Sequence, residues 1–229
     1  MPHLPRSRPH GATPDAISRP ATAFTTRSAP RTPPRAIVIA ASTGGPQALG
    51  ALLHSLATHI EQVPVYVVLH MPADFHDIVA QHVARQTGLD ARVAGNGEVA
   101  KPGRVYFAPG GMHLRLAKSP EGVRMWHSDA PAEQFLKPAA NLLFRSAAAV
   151  YAQDLLGVVL TGMGADGLEG SHAIVAAGGA IMAQDEASSV VWGMPGAVTR
   201  EGLACAVLSP DDLARAIAIL IRGGRGRAQ

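Results

Sequence analysis

Three short stretches carry side chains whose chemistry is complementary: a hydroxyl in Ser42-Thr43-Gly44-Gly45-Pro46, an imidazole in His70-Met71-Pro72, and a carboxylate in Thr161-Gly162-Met163-Gly164-Ala165-Asp166-Gly167. A serine hydroxyl is a poor nucleophile until a base removes its proton, and an imidazole is held in the useful tautomer by a carboxylate on its other nitrogen. Ser42, His70 and Asp166 fill those three roles for an acyl transfer. The glycines after Ser42 let a substrate approach the backbone, and the unpaired N–H groups of a helix's first turn can face a developing oxyanion. Each stretch alone also has a plainer reading. Ser42 could cap the helix that follows it, and a lone histidine is more often a hydrogen-bonded structural residue. The order Ser, His, Asp differs from the Ser, Asp, His order of α/β-hydrolases, and the first turn is not G-x-S-x-G, so a convergent triad is expected.

The third stretch supports a rival. Gly162, Gly164 and Gly167 satisfy the G-x-G-x-x-G dinucleotide fingerprint between a strand and a helix, and Asp185 lies near the expected position downstream, which would make the chain a dinucleotide-binding oxidoreductase. Asp166, however, would put a carboxylate inside the turn that must attract a pyrophosphate. The fingerprint also belongs to the first βα unit of its domain, and here it comes late. Metal binding is not expected: His70, His76 and His82 are spaced to miss one helical face, and Cys205 alone builds no thiolate site. No cofactor is called for.

These side chains need a scaffold. Apolar runs at 36–41, 64–69, 104–108, 155–160, 180–183 and 204–208 lack polar alternation and read as strands buried on both faces. Between them lie helical patterns. The stretch 46–57 opens with Pro46 and lines up Leu49, Leu52, Leu53 and Leu56, and 75–86 lines up Phe75, Ile78, Val79 and Val83. Ser209-Pro210-Asp211-Asp212 starts a last helix, with a cap, a first-turn proline and two acids. Residues 113–118 and 123–127 alternate across a turn and predict an antiparallel hairpin added to the sheet. The fold class expected is a doubly wound α/β domain, mostly parallel, with helices on both faces. Ligand sites in such folds lie beyond the carboxyl ends of the strands, where all three reactive groups fall.

Charge and composition narrow the function. The chain has a formal net charge of +3 and a pI near 9.4, which would suit nucleic acid. Residues 1–35, however, hold six Arg against Asp15, residues 222–229 hold three Arg and no acid, and removing both leaves residues 36–221 at −5. With only 4% aromatic residues and no aromatic–basic alternation, nucleic-acid binding by the core is not expected. Eight of the eighteen prolines fall in residues 1–34, which read as a disordered basic arm; 35–222 read as the catalytic domain and 223–229 as a disordered tail. There is no apolar signal segment or membrane-length run, and Cys205 can form no internal disulfide, so a cytoplasmic protein without membrane insertion is expected.

Five segments in order, Ala41-Ser42-Thr43-Gly44-Gly45-Pro46, His70-Met71-Pro72, Ala108-Pro109-Gly110-Gly111-Met112-His113, the 161–167 loop, and Ala183-Gln184-Asp185-Glu186 through Gly193-Met194-Pro195, resemble the catalytic domain of chemotaxis receptor methylesterases of the CheB type. The resemblance implies a serine esterase that removes γ-methyl esters from glutamates on the cytoplasmic helices of chemoreceptors, releasing methanol, with deamidation of receptor glutamine in some members. It implies Ser42 as nucleophile, His70 as base and Asp166 as its orienting acid. The N–H groups of Thr43 and Met163 would face the oxyanion, and Met194 would shape the wall of the site. The chain departs from the family at Leu69, where Gln is common, at Asn141, where Asp is common, and at Gly196, where a basic residue is common. The 34-residue arm is too short for the family's receiver domain, so control by a partner protein or constitutive activity is expected. An inactive receptor-binding module is the remaining alternative.

Overall fold

The computed structural model describes residues 26–30 and 32–225; most of the expected arm and residues 226–229 lie outside the described residues. The main sheet has seven parallel strands in the order β3-β4-β2-β1-β7-β8-β9, where β1 is Ala36–Ala41, β2 Val65–Leu69, β3 Asp90–Val93, β4 Arg104–Phe107, β7 Leu155–Val159, β8 Ala180–Gln184 and β9 Ala204–Leu208. The chain works outward from β1 to one edge and then from β7 to the other, so the topological switch falls between the two central strands. A crevice at their carboxyl ends is the expected consequence.

Both faces of β1 are covered, which is why its sequence shows no polar alternation. Ile37, Ile39 and Ala41 pack on one side, and Ala36, Val38 and Ala40 on the other. On the first side lie α1 (Gly45–Leu56), α2 (His76–Thr87) and α6 (Pro210–Arg225). The four leucines expected on α1 are all fully buried, each stabilising the fold by about 1.5–3 kcal/mol. On the second side lie α3 (Ala140–Tyr151), α4 (Leu168–Ala176), α5 (Met194–Arg200) and the hairpin of β5 (His113–Ser119) and β6 (Gly122–Ser128).

Several expectations are corrected in detail. The hairpin is a two-stranded sheet of its own, packed on α3 through Leu114, Leu116 and Met125. The helix begun by Ser209 continues to Arg225, past Gly223 where a tail was expected. Its cap is reciprocal: the Asp212 N–H donates to Ser209 Oγ, which donates to the Asp212 carboxylate at 2.7 Å. Residues 26–30 and 32–34, expected as part of a disordered arm, run along the body, where the Arg27 N–H donates to the Ala204 carbonyl at 3.0 Å. The face of α2 is the largest correction. It buries His76, Ala80 and Val83, while Phe75 and Ile78, expected in the core, are 50% and 56% exposed.

Candidate active site

Ser42 follows β1 directly, and its N–H donates to the Thr161 carbonyl at the end of β7 (3.0 Å). His70 follows β2, and its N–H donates to the Ala41 carbonyl (3.0 Å). These two ladder bonds continue the sheet by one residue on each side of β1, bringing the serine and histidine backbones to adjacent strand ends. Ser42 does not cap α1. The cap position belongs to Gly44, in the left-handed region at φ 76°, and no side chain caps that helix. The hydroxyl and the N–H groups of Thr43 and Gly44 carry no hydrogen bond among the described residues.

The tightness of this corner explains its glycines. A Cβ on Gly44 would strike Val190, and one on Gly162 would strike Met194 Sδ and lie 2.8 Å from Ser42 Cβ. Thr161 joins three loops: its hydroxyl lies 2.9 Å from the Thr43 carbonyl and accepts the Val191 N–H at 3.0 Å, and its own N–H donates to Gln184 Oε1 at 2.8 Å. Thr161 and Gln184 are both buried, and neither stood out in the sequence, because a buried polar side chain announces itself only through distant partners.

Asp166 is the best-held side chain in the crevice. It is 1% exposed. One oxygen accepts His70 Nε2–H at 2.8 Å and the Ala140 N–H at 2.6 Å, and the other accepts the N–H groups of Asn141 (3.0 Å) and Gly167 (2.9 Å). The carboxylate thus sits on the positive end of α3. Burial pushes its pKa up, but the hydrogen bond from His70, the bond from Ala140, the charge of His70 and the bond from Asn141 together outweigh it, so the carboxyl lies below its ordinary value. The imidazole that donates to it is itself nearly buried, with a side chain 8% exposed. With Nε2 donating, Nδ1 is the basic nitrogen, and it too carries no hydrogen bond among the described residues.

Asn141, noted in the sequence only as a departure, is central here. Its Oδ1 accepts the N–H groups of Gly167 (3.0 Å) and Gly170 (2.8 Å) at the start of α4. Asp166, just before α4, therefore holds the start of α3, and Asn141, at the start of α3, holds the start of α4. This exchange also removes the support for a dinucleotide site, because the N–H groups of Gly167 and Gly170 at the start of the helix are occupied and Asp166 places a buried carboxylate in the turn. Asp185 is turned to Ser188, accepting its N–H at 2.9 Å.

The other expected site residues divide. Thr43 is exposed at the mouth and Met163 is 76% exposed beside Gly162, each with its N–H free among the described residues. Met194 is fully buried behind Gly162, to whose carbonyl its N–H donates at 2.9 Å, so it packs beneath that glycine and not at the surface. Among the described residues, no group of three or more His, Cys, Asp or Glu side chains is placed to hold a metal, and no helix is long and apolar enough to cross a membrane.

The CheB methylesterase family profile matches residues 37–217, a span that includes every one of these side chains. The chain belongs to that family. Among its CheB relatives, a protein-glutamate methylesterase/protein-glutamine glutaminase of group 2 operon from Bradyrhizobium diazoefficiens is 43% identical over 98% of this chain and 59% of its own length. A protein of the same name from Rhodopseudomonas palustris is 45% identical over 98% of this chain and 57% of its own. The chain thus spans under three fifths of these relatives. The CheB methylesterase catalytic domain from Thermotoga maritima superposes with a TM-score of 0.79 at 34% identity, covering 82% of this chain and 98% of that structure. The doubly wound fold read from the sequence is the CheB catalytic-domain fold.

Proposed function

We propose that this chain is a serine esterase that hydrolyses γ-methyl glutamate esters of chemoreceptor cytoplasmic domains and deamidates receptor glutamine. The carrying observation is the Asp166–His70 hydrogen bond at 2.8 Å, with Ser42 on the neighbouring strand end and the hydroxyl and His70 Nδ1 both unoccupied among the described residues. Asp166 keeps the proton on Nε2, which leaves Nδ1 as the atom that accepts the Ser42 proton. The hydroxyl oxygen then adds to the ester carbonyl, and the negative charge moves to the carbonyl oxygen. The N–H groups of Thr43 and Met163, having no other acceptor among the described residues, are the donors available to it.

Collapse of that intermediate expels methoxide, which takes the proton from Nδ1 and leaves as methanol. Water then attacks the acyl-serine with Nδ1 again as base, giving glutamate and the free serine. A glutamine substrate differs only in losing ammonia at the first collapse. The names carried by the relatives from B. diazoefficiens and R. palustris support both substrates. A cytoplasmic location and control by a regulatory partner protein belong to the same proposal.

The test is Ser42→Ala. Methanol release from methylated receptor should disappear, while the circular dichroism and melting behaviour of the folded protein persist. Full activity in that variant would eliminate this mechanism.

A further inference from the structure

Thr161 is a buried polar residue that the mechanism above leaves without a task. It stands between the two loops that carry the available oxyanion donors, two residues ahead of Met163 in the chain and hydrogen-bonded to both Ser42 and Thr43. Its carbonyl accepts the Ser42 N–H at 3.0 Å, and its hydroxyl lies 2.9 Å from the Thr43 carbonyl and 3.2 Å from that of Val191. A hydroxyl has one proton to give, and the shorter distance assigns it to Thr43. The same oxygen accepts the Val191 N–H at 3.0 Å, and the Thr161 N–H is spent on Gln184 Oε1. Resting on the esterase reading above, we infer that Thr161 is a positioning residue for the oxyanion site: its hydroxyl holds the Thr43–Gly44 peptide with the carbonyl inward and the Gly44 N–H outward.

The local backbone makes that peptide the part of the turn most in need of holding. The Gly45 N–H donates to the Ser42 carbonyl at 2.7 Å, and Gly44 at φ 76°, ψ −2° has the third-position geometry of a type II turn. Type I and type II turns differ mainly by rotation of the central peptide, here Thr43–Gly44, and glycine at the third position permits both. Because the peptide is planar and trans, its N–H points opposite to its C=O. With the carbonyl directed at Thr161, which is 1% exposed, the Gly44 N–H points away from the interior, and it carries no bond among the described residues. Without the hydroxyl the Thr43 carbonyl would lose its donor, and rotating toward water is the way to regain one. That flip would turn the negative end of a carbonyl to the mouth where the oxyanion forms. Packing supports the contact, since Thr161 Cγ2 lies 3.2 Å from where a Cβ on Gly44 would stand.

The test compares, in the full chain, Thr161→Val, which keeps the shape and removes the hydroxyl, with Thr161→Ser, which keeps the hydroxyl. Methanol release from methylated receptor should show kcat lower by about 10–100-fold in the Val variant, less than the ~10²–10³ for removing an oxyanion donor outright, with KM within about twofold. The Ser variant should stay within about threefold of wild type. A second readout is an N-acetyl amino acid amide whose side chain ends in a boronic acid in place of the ester. Ser42 Oγ adds to boron as its proton passes to His70 Nδ1, giving a tetrahedral anion, and the inhibition constant should rise in the Val variant by the factor that kcat falls. A Val variant as fast as wild type, a loss shared equally by Ser, or a loss with boronate affinity unchanged would overturn the assignment. If Thr161→Val gives no cooperative melt, Thr161→Cys, whose thiol is a weak donor, takes its place with the same expected split. Wild-type protein that releases no Ser42-dependent methanol would bring down the esterase reading itself, which no behaviour of the Thr161 variants does.

Discussion

The turns after β1 and β7 are alike in sequence and differ in how their polar groups are bonded. Each runs from a buried strand through glycines into a helix, and each has a left-handed glycine at the helix cap, Gly44 at φ 76° and Gly167 at φ 94°. After β1 the N–H groups of Thr43 and Gly44 carry no bond among the described residues, and the turn lies at the surface. After β7 the N–H groups of Gly167 and Gly170 at the start of α4 are taken by Asn141, and Asp166 is locked by four donors, while the Met163 N–H earlier in the loop carries no bond among the described residues. A glycine-rich strand-to-helix turn can thus serve as an open anion site or as a rigid mount for a carboxylate. The side chains that reach it from elsewhere decide which.

The contrast is broken most severely at the mount. Asp166→Asn keeps the shape of the side chain but no longer fixes the proton on His70 Nε2, so kcat should fall by about 10⁴, as when the orienting acid of a serine triad is replaced by its amide. Steady-state methanol release checks this. A loss of tenfold or less would mean that Asp166 holds only α3 and plays no part in orienting the base.

A smaller effect separates the mount from its support. Asn141→Ala removes the acceptor for Gly167 and Gly170, but Gly167 keeps its bond to Asp166, so one buried N–H is orphaned. Urea unfolding should show a loss of about 1–3 kcal/mol, with turnover reduced far less than in Asp166→Asn. If the two variants lost activity equally, the positions of Asp166 and Asn141 would be coupled more tightly than their separate hydrogen bonds imply.

Much of this was readable from local sequence. The strands that lead to Ser42, His70 and Asp166 are buried on both faces, so their apolar runs end abruptly at turn residues and point to these three side chains. The last helix was legible because its cap, proline and acids are contiguous. Other features are not local. β3 is a charged edge strand whose Asp90 pairs with Arg92 and Arg104, so it offers no apolar run. Helix α3 does have buried positions at 140, 143, 144 and 147, a helical spacing that was there to be found, but Asn141 reads as a polar interruption until its partners on α4 are seen. On α2 the apolar spacing is present but does not fix which way it points: Phe75 and Ile78 follow a helical spacing yet are exposed, so periodicity alone does not distinguish a buried face from an exposed one.

The mildest perturbation is acid. The Asp166 carboxyl lies below its ordinary value in the folded protein, whereas in the unfolded chain it titrates near about 3.9. Its ionised form therefore contributes stability that is fully present above that unfolded value and is lost as pH falls through the lower folded one. Between about pH 5 and the folded value, wild-type stability should decline more steeply than that of Asp166→Asn, and the gap between the two should narrow as pH falls. Glu133, whose carboxyl is lowered chiefly by the hydrogen bond from Arg145, titrates in both proteins and enters the difference only through the repulsion from Asp166, the last of its causes. Urea midpoints measured through this window read the gap directly. Parallel decline of the two proteins would show that the clamp on Asp166 holds a protonated acid as well as a carboxylate, leaving the open turn and the closed one no different in their demand for charge.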